Sequence, residues 1–533
     1  MPNELGYIFI KNKSIKIALV FPNTYYIGMS NLGFQYIYRE INNRTDSCGE
    51  RFFLPDKNNK LLSIETKKNL KSFDIIAFSL IYEIDYINIL KILDLSEIPR
   101  FSKDRLEKYP LIIAGGPAIS ANPEPVSDFI DCFVIGESEE IIHEIIEIYT
   151  QEKGNSRIKI LEELNKLQCV YVPFLSKNRK VYYQRVISYD KNPIGSVFVS
   201  KNTEFKNIFL VEISRGCGRG CRFCLAGFLY RPVRFAKLDS IILEIERAKK
   251  LTNKIGLLGA CVVDHPQIND LCDYLLKQKL NITVSSLRID SINEKFLETL
   301  VYGGNKTLTL APESGNINLR KKLNKYITDD QIIEIIKLAG ISGITKLKLY
   351  ILIGLPQETQ EDINTILGFL EKIKKTAIKY SIYQIDVTIN PFVPKAGTPL
   401  QWVDMDLEEN LNSKIKFLTK NLNKLGIRVQ NNSVSWSIVQ GILARGDQKL
   451  GVIIDKVLNK GSTIGVWRKV IKDENLVNKY LTKKDYNDPL PWDHITTGIN
   501  KQYLYQEFKN YLKSELTTDK CSKEFCRICG ICR

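Results

Sequence analysis

The chain has 533 residues, of which 44% are hydrophobic and 26% are charged, and its formal net charge is +16. This composition is typical of a globular protein with two or three domains. Charges interrupt the N-terminal apolar run and no apolar segment reaches membrane-spanning length, so we expect no signal peptide and no transmembrane helix.

The positive charge is unevenly distributed. Residues 1–200 are electrically neutral, so the whole net charge lies in residues 201–533. A basic half of this kind suits a polyanionic substrate such as RNA. The alternative is a lysine-rich surface that simply faces water.

The first 150 residues alternate short apolar runs with helical periodicity. Such alternation predicts a doubly wound, Rossmann-like open sheet with its ligand crevice at the carboxyl ends of the strands. We predict strands at 16–21, 74–80, 110–116 and 130–135, and helices at 31–41, 85–95, 123–129 and 137–150. Residues 151–207 predict a β-rich connector with one short helix, roughly 158–167.

Residues 208–402 contain six consecutive strand–helix units. We predict strands at 208–213, 255–259, 281–286, 306–311, 345–352 and 383–389, with helices near 237–251, 267–279, 293–302, 328–340 and 360–376. Six such units curve into a partial (βα)6 barrel of the TIM type, and barrels of this type place their chemistry at the carboxyl ends of the strands.

Directly after the first barrel strand come Cys217, Cys221 and Cys224, spaced C-x3-C-x2-C in a glycine-rich loop. Iron–sulfur clusters normally take four cysteines, so three thiolates leave one iron open. This motif resembles the signature of the radical S-adenosylmethionine superfamily. The alternatives are a zinc knuckle that lacks a ligand and three buried structural thiols.

The resemblance implies that the three cysteines hold a 4Fe-4S cluster whose open iron chelates S-adenosylmethionine. It also implies cofactor-binding positions at the strand ends, namely Phe223, Gly259, Arg288, Glu313, Gly354, Leu355 and Pro356. Glu313 lies in the segment APESG, and the last three lie in GLPQET. For Arg288 the alternative is a salt bridge to Asp290 or Asp264. For Asp264 and His265 we favour a helix N-cap over a polar pair that faces the substrate.

Residues 1–150 resemble the cobalamin-binding domain that precedes the barrel in many such enzymes. The order of elements and the turns Gly115-Gly116-Pro117 and Gly136-Glu137 carry this resemblance. Many cobalamin domains place a histidine ligand in the first strand-end loop, and none stands there. We therefore expect cobalamin without a histidine ligand, or a domain of this fold without the cofactor.

Residues 403–533 predict a mostly helical C-terminal region, with helices at 406–425 and 436–458. Trp402 either lines the substrate cavity or plugs the barrel edge. The chain ends in Cys521, Cys526, Cys529 and Cys532, a compact run that favours a second iron–sulfur cluster over zinc or redox thiols. Most of the chain resembles an uncharacterised bacterial family of radical S-adenosylmethionine proteins with these same features.

We therefore expect a cytoplasmic enzyme that cleaves S-adenosylmethionine reductively and uses the 5′-deoxyadenosyl radical to modify a substrate, with RNA as the leading candidate. Flavodoxin or ferredoxin would supply the electron. The alternatives are a methyltransferase or rearrangement enzyme acting on a small metabolite or tetrapyrrole, and a non-catalytic iron–sulfur protein. Twelve cysteines without a secretory signal agree with a reducing compartment.

Overall fold

The structure is a computed structural model. It describes residues 4–6, 13–56, 59–176, 179–186, 189, 194–285, 287–513, 517–519, 521 and 529–531. Cys526 and Cys532 lie outside these residues.

The N-terminal part is a sheet of six strands covered by helices on both faces. Strand β1 (Glu4–Gly6) lies outside this sheet. The six strands of the sheet are β2 (Ile15–Phe21), β3 (Ser47–Phe53), β4 (Ile75–Ser79), β5 (Leu111–Gly115), β6 (Cys132–Val134) and β7 (Val170–Tyr171). Their order is β3-β2-β4-β5-β6-β7, parallel except for β7. The helices are α1 (Tyr25–Gly28), α2 (Leu32–Asn43), α3 (Tyr86–Leu95), α4 (Pro117–Ala121), α5 (Ile141–Glu152) and α6 (Arg157–Leu164). The predicted doubly wound sheet is confirmed.

Two local predictions in this part are wrong. Strand β3 is absent from the prediction because its sequence, SCGERFF, contains a glycine and two charges, yet all of its residues are buried. The helix predicted at 123–129 does not form. Only a single 3-10 turn, Glu124–Val126, follows α4, because Pro123 and Pro125 lack the N–H that a helix needs.

The connecting region ties the other parts together. It contributes β8 (Val181–Tyr182) and β9 (Phe198–Ser200) besides α6 and β7. Strand β9 pairs with β1, and β8 pairs with a strand of the C-terminal region at Ile495–Thr496.

The second α/β unit is an open barrel. Its strands are β10 (Phe209–Glu212), β11 (Ser214–Arg215), β12 (Arg234–Phe235), β13 (Lys254–Leu258), β14 (Asn281–Val284), β15 (Thr307–Glu313), β16 (Lys346–Ile353), β17 (Gln384–Pro391) and β18 (Arg428–Asn431). Its helices are α7 (Ala226–Leu229), α8 (Leu238–Lys249), α9 (Ile268–Lys277), α10 (Glu294–Tyr302), α11 (Ile317–Lys322), α12 (Asp329–Ile341) and α13 (Gln360–Lys379).

The barrel wall consists of two parallel sheets, β10-β13-β14 and β15-β16-β17-β18. A single bridge, Leu287 to Leu310, joins them. The six predicted strands are present, and β18 adds a seventh that the sequence pattern did not reveal. The wall is therefore one strand longer than the predicted (βα)6 unit.

The C-terminal region is mostly helical, as predicted. Its elements are α14 (Glu408–Lys424), α15 (Val434–Arg445), α16 (Leu450–Asn459), α17 (Ile464–Asp473), α18 (Leu476–Tyr480), β19 (Ile495–Thr496) and α19 (Lys501–Lys513). The single helix predicted at 436–458 is wrong, because the chain breaks at Gly446 into α15 and α16. Among the described residues, no helix is both long and apolar enough to cross a membrane.

Candidate functional site

The three cysteines lie on a tight loop that follows β10 and β11. Gly216 opens this loop with a positive φ of 80°. A Cβ at that position would lie 2.2 Å from the carbonyl oxygen of Tyr230. The backbone therefore passes so close to the neighbouring segment that only glycine fits at the start of the loop.

The thiols of the loop influence one another electrostatically. Burial and then the thiols of Cys221 and Cys217 raise the pKa of Cys224 to about 12. Burial also raises the pKa of Cys221. A fourth thiol joins them, because Cys261 lies 3.6 Å from Cys217, Sγ to Sγ. Its hydrogen bond lowers the pKa of Cys217 to about 6.

The loop offers three thiols as candidate metal donors. Among the described side chains, no three cysteine, histidine or carboxylate groups converge closely enough to hold one metal ion. In a 4Fe-4S cube each cysteine binds a different iron, so the thiols stand apart around the cube. Three neighbouring thiols on one loop are the donor set that such a cube requires.

Two cations stand beside Cys221. The Nη1 atom of Arg288 lies 3.5 Å from the Cys221 sulfur, and its Nε lies 2.7 Å from Asp290. The alternative expected for Arg288, a salt bridge to Asp290, is therefore present. Lys325 is buried and pairs with Glu313 at 2.7 Å. Burial by itself would lower the pKa of Lys325, but Glu313 and Cys221 outweigh it and raise this pKa.

Glu313 is held in an unusual backbone conformation. Its φ is 69°, and the register of β15 against β16 shifts between Leu310 and Glu313. Non-glycine residues rarely adopt this conformation, and it costs of the order of 1–3 kcal/mol where it occurs. In this conformation the Glu313 carboxylate binds Lys325.

The other predicted cofactor-binding residues lie at neighbouring strand ends. A Cβ at Gly259 would lie 2.2 Å from Ser214 Oγ, so this glycine lets β13 approach the start of the cysteine loop. The Gly354 N–H donates to Glu358 at 2.7 Å. Leu355 is buried in an apolar cluster against which Phe223 packs. The Pro356 carbonyl accepts a hydrogen bond of 2.6 Å from Tyr511.

Asp264 does not cap a helix, so the favoured interpretation of Asp264 and His265 is wrong. Both Asp264 oxygens accept from Arg219 of the cysteine loop, at 2.7 and 2.9 Å. Arg219 also binds Asp290 at 2.8 Å. His265 is buried and bonds to the Ala236 carbonyl. The carboxylates at two strand ends thus anchor the loop through one arginine.

Arg219, Cys261 and Lys325 are site residues that no sequence motif predicts. No local signal could have identified them, because each becomes notable only through a partner 12 or more residues away. Trp402 is fully buried and packs on Tyr505 and Phe508 of α19. It plugs the barrel edge.

A cavity of about 570 Å³ separates the N-terminal sheet from the barrel. Strand ends of both units line it, with Gly115, Gly116 and Gly136 on one side and Gly216 and Gly259 on the other. Apolar side chains of the sheet and of two helices extend it inward: Ile17, Leu19, Phe34, Ile141 and Ile145. No histidine of the described chain lines it. The cavity therefore reaches from the N-terminal crevice to the cysteine loop.

An ionic network borders this cavity. Arg234 binds both oxygens of the buried Glu137. Arg215 contacts Glu137, Glu139 and Glu212. Burial opposes ionisation of Glu137, but Arg234 and Arg215 outweigh it and lower the pKa of this carboxyl. The network therefore links Glu137, just after strand β6, to Arg215, the residue before Gly216.

The C-terminal segment touches the cysteine loop from outside. The Cys521 N–H donates to the Gly218 carbonyl at 2.7 Å, and the Cys529 carbonyl accepts from Asn500 at 2.9 Å. Both cysteines interact electrostatically with the buried Arg231. Of the four predicted C-terminal ligands, Cys521 contacts the cysteine loop directly, and Cys529 lies near the same arginine.

Comparison with known proteins identifies the family. A model of the radical SAM superfamily matches residues 211–370, and a model of the N-terminal part of radical SAM proteins matches residues 33–173. An uncharacterised protein of Methanocaldococcus jannaschii is 33% identical over 489 residues, which are 91% of this chain and 99% of that protein.

More distant relatives share parts of the chain. A tRNA-2-methylthio-N6-dimethylallyladenosine synthase of Anoxybacillus flavithermus is 23% identical over 251 residues, 43% of this chain and 45% of that enzyme. A structure of OxsB, a cobalamin-dependent S-adenosylmethionine radical enzyme with aqua-cobalamin and S-adenosylmethionine bound, is similar with a TM-score of 0.53 and 14% identity. The match covers 93% of this chain and 79% of OxsB, and it supports the shared fold. The chain therefore belongs to the radical S-adenosylmethionine superfamily, whose enzymes use a 4Fe-4S cluster and S-adenosylmethionine.

Proposed function

We propose that Cys217, Cys221 and Cys224 hold the 4Fe-4S cluster of this enzyme. The observation that carries the proposal is their position on one glycine-opened loop at the end of the first barrel strand. Arg288 and Lys325 support it, because positive charge beside a sulfur stabilises the thiolate that a metal requires. When bound and reduced, the cluster supplies the electron that cleaves S-adenosylmethionine into methionine and a 5′-deoxyadenosyl radical.

The surrounding residues would position S-adenosylmethionine. Lys325 holds one oxygen of Glu313, so the other oxygen can accept from the ammonium or ribose group. Arg288 has further N–H groups that can bind the methionyl carboxylate. The turn Gly354-Leu355-Pro356 would pack on adenine, with Gly259 and Phe223 completing the pocket. The apolar packing around Leu355 and Trp402 would exclude water from the radical.

We also propose that the cavity above the N-terminal sheet binds cobalamin without a histidine ligand. It opens at the strand ends Gly115-Gly116 and Gly136, where an open α/β sheet binds its ligand. OxsB, which shares the fold, binds aqua-cobalamin. Bound in this cavity, cobalamin would supply methyl-transfer chemistry, and the lining residues from Gly136 to Gly216 would hold it within reach of the cysteine loop. Methyl transfer is therefore one candidate outcome of the reaction.

The leading candidate substrate is RNA. The basic half of the chain contains the barrel, and one relative modifies an adenosine of tRNA. A small metabolite or a tetrapyrrole is the second candidate substrate. If the substrate is RNA, its binding should weaken steeply as the salt concentration rises. Binding of a small substrate should not show this steep dependence.

For the C-terminal cysteines we propose a second iron–sulfur cluster, with zinc as the alternative. The hydrogen bond of Cys521 to Gly218 of the cysteine loop, and the nearness of both Cys521 and Cys529 to Arg231, support a role in the same reaction. Enzymes of this superfamily typically need an external reductant, and flavodoxin or ferredoxin would serve here. The unbridged thiols of the described residues agree with a reducing cytoplasm.

Metal analysis of the anaerobically reconstituted protein tests these assignments. We expect about eight irons per wild-type chain, and about four in a variant with Cys217, Cys221 and Cys224 changed to alanine. That variant should form no 5′-deoxyadenosine. A second variant lacking the four C-terminal cysteines should lose about four irons, or one zinc if the tail site is structural. Stoichiometric cobalamin in the wild type would support methyl transfer. Full iron content and 5′-deoxyadenosine formation in the first variant would refute the cluster assignment.

A further inference from the structure

The inner face of the sheet β15-β16-β17-β18 is polar. Strand β16 reads KLKLYILI, and its alternate residues Leu347, Leu349, Ile351 and Ile353 are fully buried in the main core. Parallel strands covered on both faces are usually apolar throughout, and barrel interiors are usually packed with branched apolar side chains. The alternation therefore shows that one face of this sheet is built for something other than a hydrophobic core.

The strand register places the polar side chains in rows. Lys348 pairs with Thr309 on one side and with Asp386 on the other, and Asp386 pairs with Arg428. In the next row Tyr350 pairs with Thr388. Residues paired across parallel strands project to the same face. We call Lys346, Lys348, Tyr350, Asp386, Thr388 and Arg428 the inner polar face.

This face carries more cations than acids. Asp386 is its one carboxylate, and it binds both Arg428, at 2.7 and 2.9 Å, and Lys346, at 2.8 Å. These partners hold the pKa of Asp386 far below its usual range. Within the described residues Lys348 makes no ion pair, and its Nζ lies 5.3 Å from the centroid of the Tyr350 ring. Thr388 Oγ1 is buried and has no hydrogen-bond partner in the described chain.

The inner polar face is open at its edge. Strand β18 is the last of the sheet, and the Arg428 side chain is 59% exposed. The row from Arg428 at the surface to Lys348 passes through Asp386, and the three cations of the face outnumber this one carboxylate, so the row keeps a net positive charge. Lys348 lies four residues before Leu352, about 13 Å along the strand, and the turn Gly354-Leu355-Pro356 follows directly.

We propose that the inner polar face binds the phosphate backbone of a single-stranded RNA substrate, with Lys348 as a phosphate contact and Thr388 as a hydrogen-bond partner. The inference rests on the proposed radical enzyme, because it supplies the binding surface for that reaction. An open edge with exposed basic residues suits a polyanionic chain that extends out of the barrel. A small anion enclosed in the barrel would need no charged path to the surface.

Binding of a labelled 20-nucleotide RNA of mixed sequence to the reconstituted enzyme tests the proposal. We expect Lys348→Met to weaken binding about fivefold at 0.1 M salt and to reduce the salt slope by about 0.7, the value for one phosphate contact to a single strand. Lys348→Arg should restore most of the affinity. Lys375→Met is the matched control, because this 76% exposed lysine of α13 lies on the helical surface and pairs with Glu371.

Several outcomes would overturn the inference. The inference would be wrong if Lys348→Met changed neither the RNA affinity nor the salt slope of the wild type. It would also be wrong if Lys375→Met lost as much RNA affinity as Lys348→Met. Equal competition by a mixture of nucleoside monophosphates would reject an RNA chain as the ligand. 5′-Deoxyadenosine formation by the wild type, measured in parallel, tests the proposed function separately, since RNA binding needs no radical chemistry.

Discussion

A buried ion pair joins the cysteine loop to the C-terminal helix. Arg222, between Cys221 and Cys224, is fully buried, and its Nε lies 2.9 Å from Glu507 of α19. Glu507 is also buried and accepts from Thr518 at 2.6 Å. Removing one partner of such a pair leaves an uncompensated charge and typically costs about 3–5 kcal/mol. We expect Glu507→Ala to impose a cost of this size on the docking of α19.

Hydrogen–deuterium exchange of the α19 amides measures that cost. Since about 1.4 kcal/mol corresponds to a tenfold change, exchange should accelerate by roughly two to three and a half orders of magnitude. The paired variant Arg222→Met with Glu507→Leu should recover part of the loss, because an apolar pair leaves no buried charge. The reconstituted Glu507→Ala variant should also lose iron faster in air, since α19 covers the loop.

The prediction for Glu507→Ala has a control variant and a result that would contradict it. Glu371→Ala removes an exposed partner of Lys375 on α13 and should leave exchange in α19 unchanged. Exchange of α19 in Glu507→Ala within about threefold of wild type would show that Tyr511 and the packing around Trp402 alone hold the helix. The buried ion pair would then contribute no net docking energy.

Two further predictions concern the N-terminal domain and the loop. Burial raises the pKa of Asp85 to about 6, although Asn23 and Asn88 donate hydrogen bonds to it. The folded state therefore favours the protonated acid, and stability should fall as pH rises from about 4 to about 6, by of the order of 3 kcal/mol. Asp85→Asn should raise the melting temperature at pH 7 but not at pH 4, and an equal shift at both values would contradict this assignment. Gly216→Ala should lower the iron content from about eight to about four per chain, as loss of the three loop cysteines does, because its Cβ would clash with the backbone. Gly227→Ala, with open space at that position, should retain full iron content. Equal iron in both would refute the steric argument.

Much of the architecture is predictable because it depends on short segments. Most parallel strands of the N-terminal sheet are short apolar runs, and five of the six strands there appear in the sequence pattern or its connector. Strand β3 is the exception. Its Arg51 is stable inside the protein only because Glu4 and Glu65 neutralise it. Those partners are distant in the sequence, so local periodicity indicates a polar loop instead.

The inner polar face shows a similar limit. The alternation of β16 is visible in the sequence, but parallel strands are usually buried on both faces, so the alternation alone does not indicate a polar barrel interior. Only the register with β15 and β17 shows that Thr309, Lys348 and Asp386 share one side. The seventh strand, β18, is equally hidden, because its exposed polar residues lack the signal of a buried strand.

The sequence by itself determined the chemistry, because Cys217, Cys221 and Cys224 lie within eight residues and one loop can present them together. It also determined the order of the two α/β units, because strand and helix periodicities are local. Only the tertiary structure decided which charges meet, such as Arg219 with Asp264 and Lys325 with Glu313. Contacts of this kind depend on how separate strands come together, and the spacing of residues along the chain does not encode them directly.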